Sequence, residues 1–184
     1  MTRRMGRRDW LALGLTRLAQ EGAGALTVEA LCLAAGKTRG SFYHHFDGHD
    51  AFVAGMLAFW RERDTEALKA RANAVTDATD RYKTLGDSAV ALKTREEVAI
   101  RQFAQSNPVA GATVREVDED RMAFLASIWA GRGAPEATAR TIAEIEYGAF
   151  IGLLLLYPDA DAERRRAYTD TFERMAAAFT HSAE

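Results

Sequence analysis

The sequence predicts an all-α protein, and three observations carry that expectation. Its 184 residues include three prolines, at positions 108, 135 and 158, so the long stretches between them lack the residue that most strongly breaks a helix. Within those stretches apolar residues recur three and four apart, the period of one helical face, rather than alternating as on a half-buried strand. Glycine-containing breaks such as EGAGAL and GRGAP fall between the periodic runs, where helices stop.

The first helix is predicted over 9–21, with Leu11, Leu15, Leu18 and Ala19 on one face. Thr27 is the expected N-cap of a short helix through Ala34 that turns Leu31, Cys32 and Ala35 inward, and Gly36 ends it. Thr38 caps a second short helix through His45, and Asp47 or Asp50 starts a long one on which Phe52, Met56, Phe59 and Trp60 recur at helical spacing. Beyond about Asn73 further helices are predicted over 77–92, 95–106, 109–130, 135–157 and 162–181, for about nine in all. Asn107-Pro108, Gly131 to Pro135 and Pro158-Asp159 separate them, with Pro135 near a first helical position.

Composition is that of a globular chain, 48% hydrophobic and 27% charged. Charge is unevenly placed: of 24 Lys+Arg and 26 Asp+Glu, residues 1–50 carry seven and five, which leaves 17 and 21 for the rest. A basic N-terminal head on an acidic body favours an anionic partner at that end. The single cysteine, Cys32, forms no internal disulfide, which fits a reducing cytoplasm. Asp9 and Arg17 interrupt the apolar run near the start, so it does not read as a leader. The apolar segment from Tyr147 to Tyr157 is too short to span a bilayer, and no membrane partner is expected.

That same segment is apolar or glycine at every position, so its helix must be covered on two sides. The final helix carries a stripe of Tyr168, Phe172, Met175, Ala176 and Phe179 opposite a charged face. Two readings stay open: an intramolecular core, or a four-helix interface between two copies of the chain. For the homodimer the candidate residues are Phe150, Ile151, Leu154 and Leu155 on one helix, and Tyr168, Phe172, Met175 and Phe179 on the other. Gly148 and Gly152, one turn apart, permit close helix approach in either case.

Residues 27–46 are two short helices joined at Ala35-Gly36-Lys37, the spacing of a helix-turn-helix. The first helix braces the second, whose N-terminal residues can enter a major groove of double-stranded DNA. Phe42 and Phe46 pin the second helix to the head's core. Thr38, Arg39, Ser41, Tyr43 and His44 are then left outside, all able to bond phosphates or bases.

With its flanking segments, TVEALCLAAGKTRGSFYHHF resembles the N-terminal DNA-binding domain of the TetR family of bacterial transcriptional regulators. The pattern is matched at Thr27, Ala35, Gly36, Thr38, Gly40, Phe42, Tyr43, His45 and Phe46, within a resemblance covering about 45 residues. The segments REEVAIRQFAQSNP and VREVDEDR are similar to stretches found in many family members. The resemblance implies a DNA-binding head over 1–48 and a ligand-binding and dimerisation body over 49–184. It also implies phosphate contacts, or supports for them, at Thr27, Thr38, Tyr43 and His45, and base-facing positions at Arg39 and His44. Arg39 is the expected base reader, because a guanidinium bonds guanine O6 and N7 together. Gly40 and Ser41 complete the candidate surface. Two departures stand out: His49 replaces a phosphate-binding lysine, and Lys37 replaces a valine in the turn, where it supplies a nearby cation. Arg3, Arg4, Arg7 and Arg8 form a basic arm that either grips DNA or serves as a solubilising tail.

By the same resemblance, Trp60, Phe103, Met122, Trp129, Tyr147 and Phe150 surround a cavity suited to an apolar or aromatic effector; as single residues, each also reads as plain core. Glu144 and Glu146 lie close to that wall, either as anchors or exposed. His45 and His49 do not read as a metal pair, since Asp47-Gly48 separates two helices between them, and Cys32 reads as a core thiol. EVDEDR, 116–121, reads as a solvated helix face. No cofactor and no enzymatic constellation is implied. The expectation is a ligand-responsive, homodimeric repressor of a palindromic operator; the alternative is a helical small-molecule-binding protein whose head no longer reads DNA.

Overall fold

The computed structural model describes residues 5–181. Among them lie ten α-helical segments and no strand: α1 (Arg7–Glu21), α2 (Val28–Ala35), α3 (Arg39–Tyr43), α4 (His49–Arg61), α5 (Ala67–Asn73), α6 (Ala78–Val90), α7 (Thr94–Ala104), α8 (Pro108–Gly131), α9 (Glu136–Leu156) and α10 (Ala162–His181). A π-helical turn, Glu62–Glu66, joins α4 to α5 without a break, so the segments form nine rods. The expected all-α fold is therefore the observed one. Arg3 and Arg4 of the basic arm lie outside the described residues.

The chain divides into two compact units, residues 1–63 with 95–115, and residues 64–94 with 116–184. In the first, α1 packs on α4 around Trp10, Phe42, Phe46 and Phe52, all buried. Phe42 is central: Trp10 meets it edge-on at 5.5 Å between centroids, Phe52 lies 5.5 Å away and Phe46 5.1 Å away. Burying such a ring contributes about 1.5–3 kcal/mol, and well-oriented aromatic pairs add about 0.5–1.5 kcal/mol. Gly14 makes the α1–α4 approach possible, because a Cβ there would lie 2.6 Å from Phe52 Cζ and 2.9 Å from Met56 Sδ. Buried polar groups join the end of α4 to α7: Glu97 accepts from Trp60 Nε1 at 3.1 Å and from Arg101 Nη2 at 2.9 Å, and Arg63 pairs with Glu96 at 2.8 Å.

The second unit packs α6, the later turns of α8, α9 and α10 around Tyr82, Ile128, Trp129, Ala139 and Ile142. Its π turn is absent from the sequence expectation. At this turn the carbonyl of Asp64 accepts from Arg121 Nη2 at 3.2 Å while Arg121 Nε donates to Thr65 Oγ1 at 2.9 Å. This corrects the reading of 116–121 as a solvated face. Glu116 and Glu119 are exposed, but Val117 is buried, Asp120 accepts from Lys69 at 2.6 Å and Asp118 accepts from Tyr147 Oη at 2.6 Å. Asp118, Asp120 and Arg121, three of the five charges of that run, turn inward because a long helix with a core on one side cannot keep all of its faces in water.

Two boundaries also differ. Helix α3 ends at Tyr43, and α4 starts after Gly48, whose extended backbone serves as N-cap in place of Asp47 or Asp50. Residues 23–26 form a 3-10 turn between the glycine that ends α1 and the N-cap of α2.

Candidate functional site: nucleic-acid interface and internal cavity

The angle between α2 and α3 is set by a three-residue turn. Gly36 takes φ +60°, a left-handed conformation that costs other residues about 1–2 kcal/mol. Lys37 N–H then returns to the carbonyl of Cys32 at 3.0 Å and Gly36 N–H to that of Leu33 at 3.1 Å, the paired bonds of a Schellman stop. Thr38 begins the next helix, its Oγ1 accepting from Ser41 N–H at 3.3 Å, just as Thr27 Oγ1 accepts from Ala30 N–H at 3.2 Å at the start of α2. Both threonines act as helix caps in the free protein, and both are exposed.

Arg39, Gly40, Tyr43 and His44 are exposed, Ser41 and Lys37 half-buried. Arg39 pairs with Glu29 of α2 at 2.9 Å and is further held by Tyr43, which with Glu29 raises its pKa above the ordinary arginine value. An exposed pair of this kind is worth about 0–1 kcal/mol, so the guanidinium can leave Glu29 for another acceptor at little cost. His49 is exposed beside Asp50. His45 is turned the other way: its Nε2 meets the carbonyl of Met5 at 3.2 Å, tying the N-terminal segment to the end of the reading helix. Arg7 stacks on the Phe46 ring at 5.0 Å, and Arg8 reaches Phe59 and Glu62. Cys32 is buried, and burial raises its thiol pKa.

The second unit contains a cavity of about 140 Å³. Leu85, Phe124, Leu125, Tyr147, Phe150 and Phe172 supply its apolar wall. One polar edge is the π turn with Arg121, whose Nη1 also donates to Tyr147 Oη at 3.3 Å. Another is Glu146, which accepts from Tyr82 Oη at 2.7 Å and from Trp129 Nε1 at 2.8 Å. Burial raises the Glu146 pKa above the usual carboxylate range, opposed by those two hydrogen bonds and by Arg132. Tyr82 is shifted further up, first by burial and then by the neighbouring Glu146 charge. Arg132 lies over the Trp129 ring at 4.5 Å and the Tyr82 ring at 4.8 Å, and pairs with Glu173 at 2.8 Å.

Residues 11–56, from α1 through most of α4, match the family model of the bacterial regulatory proteins, tetR family. That match spans 46 of the 184 residues, and over it the chain is similar to the N-terminal domain of that family. A transcriptional regulator from Rhodococcus sp. Rha1 shares its fold, at TM-score 0.77 with 20% identity over 93% of this chain and 95% of that one. A TetR transcription regulator from Haloarcula marismortui superposes at 0.72, with 20% identity over 94% and 96%. A further regulator, from Saccharomonospora viridis and in complex with choline, superposes at 0.71, with 14% identity over 90% and 94%. At these identities the likeness is one of fold. No curated protein matches the chain in sequence.

Residues 11–56 thus resemble the DNA-binding domain of a family of transcription regulators, whose members are not in general enzymes. No helix among its described residues is long and apolar enough to cross a membrane. Of the six residues expected around its effector cavity, Tyr147 and Phe150 line the cavity found. Trp60 and Phe103 are buried in the first unit, where Glu97 holds the Trp60 indole. Trp129 is core behind Glu146, and Met122 packs on the cluster of Leu125, Ala143 and Tyr147. Glu144 is exposed.

The candidate dimer residues divide between two environments. Phe150, Leu154, Tyr168 and Phe172 line the cavity and Ile151 packs beside it, whereas Leu155, Met175 and Phe179 are exposed. The exposed stripe of α9 also includes Ile145 and Leu156, which were not among the candidate dimer residues, with exposed Gly148 and half-buried Gly152, read as permitting close helix approach, in line. Asp64, Thr65, Arg121 and Arg165 were likewise missed on the cavity wall. Their i, i+3, i+4 spacing could have placed single helix faces, but no local pattern shows that a turn is π or that an arginine faces inward.

Proposed function

We propose that this regulator is a ligand-responsive repressor that binds a palindromic operator as a homodimer in the cytoplasm and is released by a small, largely apolar molecule. The carrying observation is that one chain combines an exposed Arg39 on α3, held by Glu29 and Tyr43 at the surface, and a cavity walled mostly by apolar side chains. The choline bound to the Saccharomonospora viridis regulator supports a body of this fold as a small-molecule receptor.

The dimer is supported by the exposed apolar stripe on α9 and α10, where Leu156 is 70% and Phe179 63% accessible. A Cβ at Gly148 or Gly152 would meet nothing within 4 Å, so neither glycine is required inside the subunit, and both leave room for a second helix to approach. Gly152→Arg should give a folded monomer by light scattering; a variant that remains dimeric removes this face from the interface. Two heads then meet half-sites about one turn of DNA apart or a multiple of it. An effector that fits the DNA-incompetent conformation better shifts the population, and a coupling of about 1–3 kcal/mol weakens binding roughly 5- to 150-fold.

Selection of genomic fragments on the purified protein beside Arg39→Ala tests the reading. Recovery of one palindromic site that the variant loses supports it. The second reading, a small-molecule-binding protein with a silent head, rests on His49 in place of a phosphate-binding lysine. It requires weak duplex binding with a shallow salt dependence, where a reading head loses affinity steeply as salt rises.

A further inference from the structure

Three cations reach the cavity wall, Lys69, Arg121 and Arg165. Lys69 is neutralised by both oxygens of Asp120, at 2.6 and 2.8 Å. Arg121 is held by the π turn and by Tyr147. Arg165 is different. Its side chain donates to the hydroxyl of Thr94, its Nε is buried without a partner, and no carboxylate among the described residues pairs with it. Its neighbours on α10 do have outlets: Arg164 stacks on Tyr157 at 4.3 Å and Arg166 pairs with Asp87 at 2.5 Å. The middle arginine of RRR, 164–166, is the one on the cavity wall, with its charge uncompensated.

A half-buried guanidinium with an unfilled donor is costly, and an ionised acceptor removes that cost. On the acidic side of the wall, Glu146 has both oxygens occupied by Tyr82 and Trp129. The unmet demand of this cavity is for an anion. Its volume of about 140 Å³ is close to the roughly 150 Å³ that holds a benzene ring. We infer that the cavity binds a small monocarboxylate with an apolar body, its carboxylate on Arg165 and its body among Leu85, Phe150 and Phe172. That such an acid acts as effector rests on the regulator reading above; that it binds does not.

Calorimetric titration of the full chain tests this with hexanoate, octanoate and benzoate against the uncharged hexanamide and benzamide and the cations choline and benzyltrimethylammonium. At least one acid should bind about tenfold to a hundredfold more tightly than its amide, the effect of a charge-assisted hydrogen bond. Arg165→Gln should abolish that preference while leaving amide affinity nearly unchanged, and Arg165→Lys should restore part of it. Amides binding as tightly as acids, cations binding in preference to acids, or no acid binding at all would each overturn the assignment; the comparison of acid with amide on the unaltered protein needs no variant to fold. The same panel added to the protein on its selected operator separates the two claims. An acid that binds without releasing DNA leaves the site standing and sinks its effector role, whereas release by a cation alone keeps the regulator and sinks the carboxylate.

Discussion

The reading surface and the cavity wall of this regulator both carry arginines and aromatic hydroxyls, yet they hold them in opposite ways. On the surface, Arg39 is exposed and its acidic partner, Glu29, lies one short helix away in sequence. At the wall, Arg121 meets Thr65 across 56 residues, Tyr82 meets Glu146 across 64 and Lys69 meets Asp120 across 51. Exposed pairs are cheap to exchange for a phosphate or a base, which a reading surface needs. Pairs shielded from water cost much more to leave half-made, so they fix the shape of the cavity.

The comparison breaks most visibly if stability does not follow burial. Phe42→Ala, which empties the centre of the head behind the reading helix, should cost about 3–5 kcal/mol by urea denaturation; a loss below about 1 kcal/mol would mean that the rings do not anchor α3. Arg121→Met keeps the stem but strips the guanidinium from the Asp64 carbonyl, Thr65 and Tyr147, and should cost about 2–4 kcal/mol. Gly36→Ala forces a Cβ into the left-handed turn and should cost about 1–2 kcal/mol. Arg39→Ala should change stability by less than about 0.5 kcal/mol while removing about 1–3 kcal/mol of base discrimination at one operator position. A large stability loss there would erase the contrast between the two regions.

A pH titration sharpens the same contrast. Because burial raises the Glu146 pKa in the folded chain, the native state holds its proton where the unfolded chain has lost it. Stability from this group is therefore full below the ordinary glutamate value of about 4.3 and is lost as pH rises from there through the folded value. Arg132, Glu173 and Tyr82 face the carboxyl and set the extent of that window. Glu146→Gln should flatten this limb of the stability profile in chemical denaturation; an unchanged slope would place the titration elsewhere.

The head was legible because its signals are local. Thr27 and Thr38 sit at helix starts, Gly36 follows a helix end, and Phe42 and Phe46 are one turn apart, so a few neighbours determine each role. His45 shows the limit of that reading: its position suits a phosphate contact, but its partner in the free chain is a carbonyl 40 residues earlier. The second unit was legible as helices, but its cavity was not. Nothing near Asp64 announces a π turn, and Arg121, which bonds to that turn, is more than fifty residues away. Likewise α9 is apolar all round from Tyr147 to Tyr157, so its sequence could not say which residues turn to the cavity and which, like Leu155 and Leu156, turn out.

The lone cysteine gives the head an internal clock. Cys32 is the single thiol of the chain, 6% accessible against the core of the unit that carries α3. A maleimide can reach it only when α2 lifts, so the labelling rate relative to the unfolded chain counts how often the head opens, each tenfold of protection standing for about 1.4 kcal/mol. One reagent and one mass spectrum per time point would then follow that opening as DNA or a small acid is added, with no engineered probe.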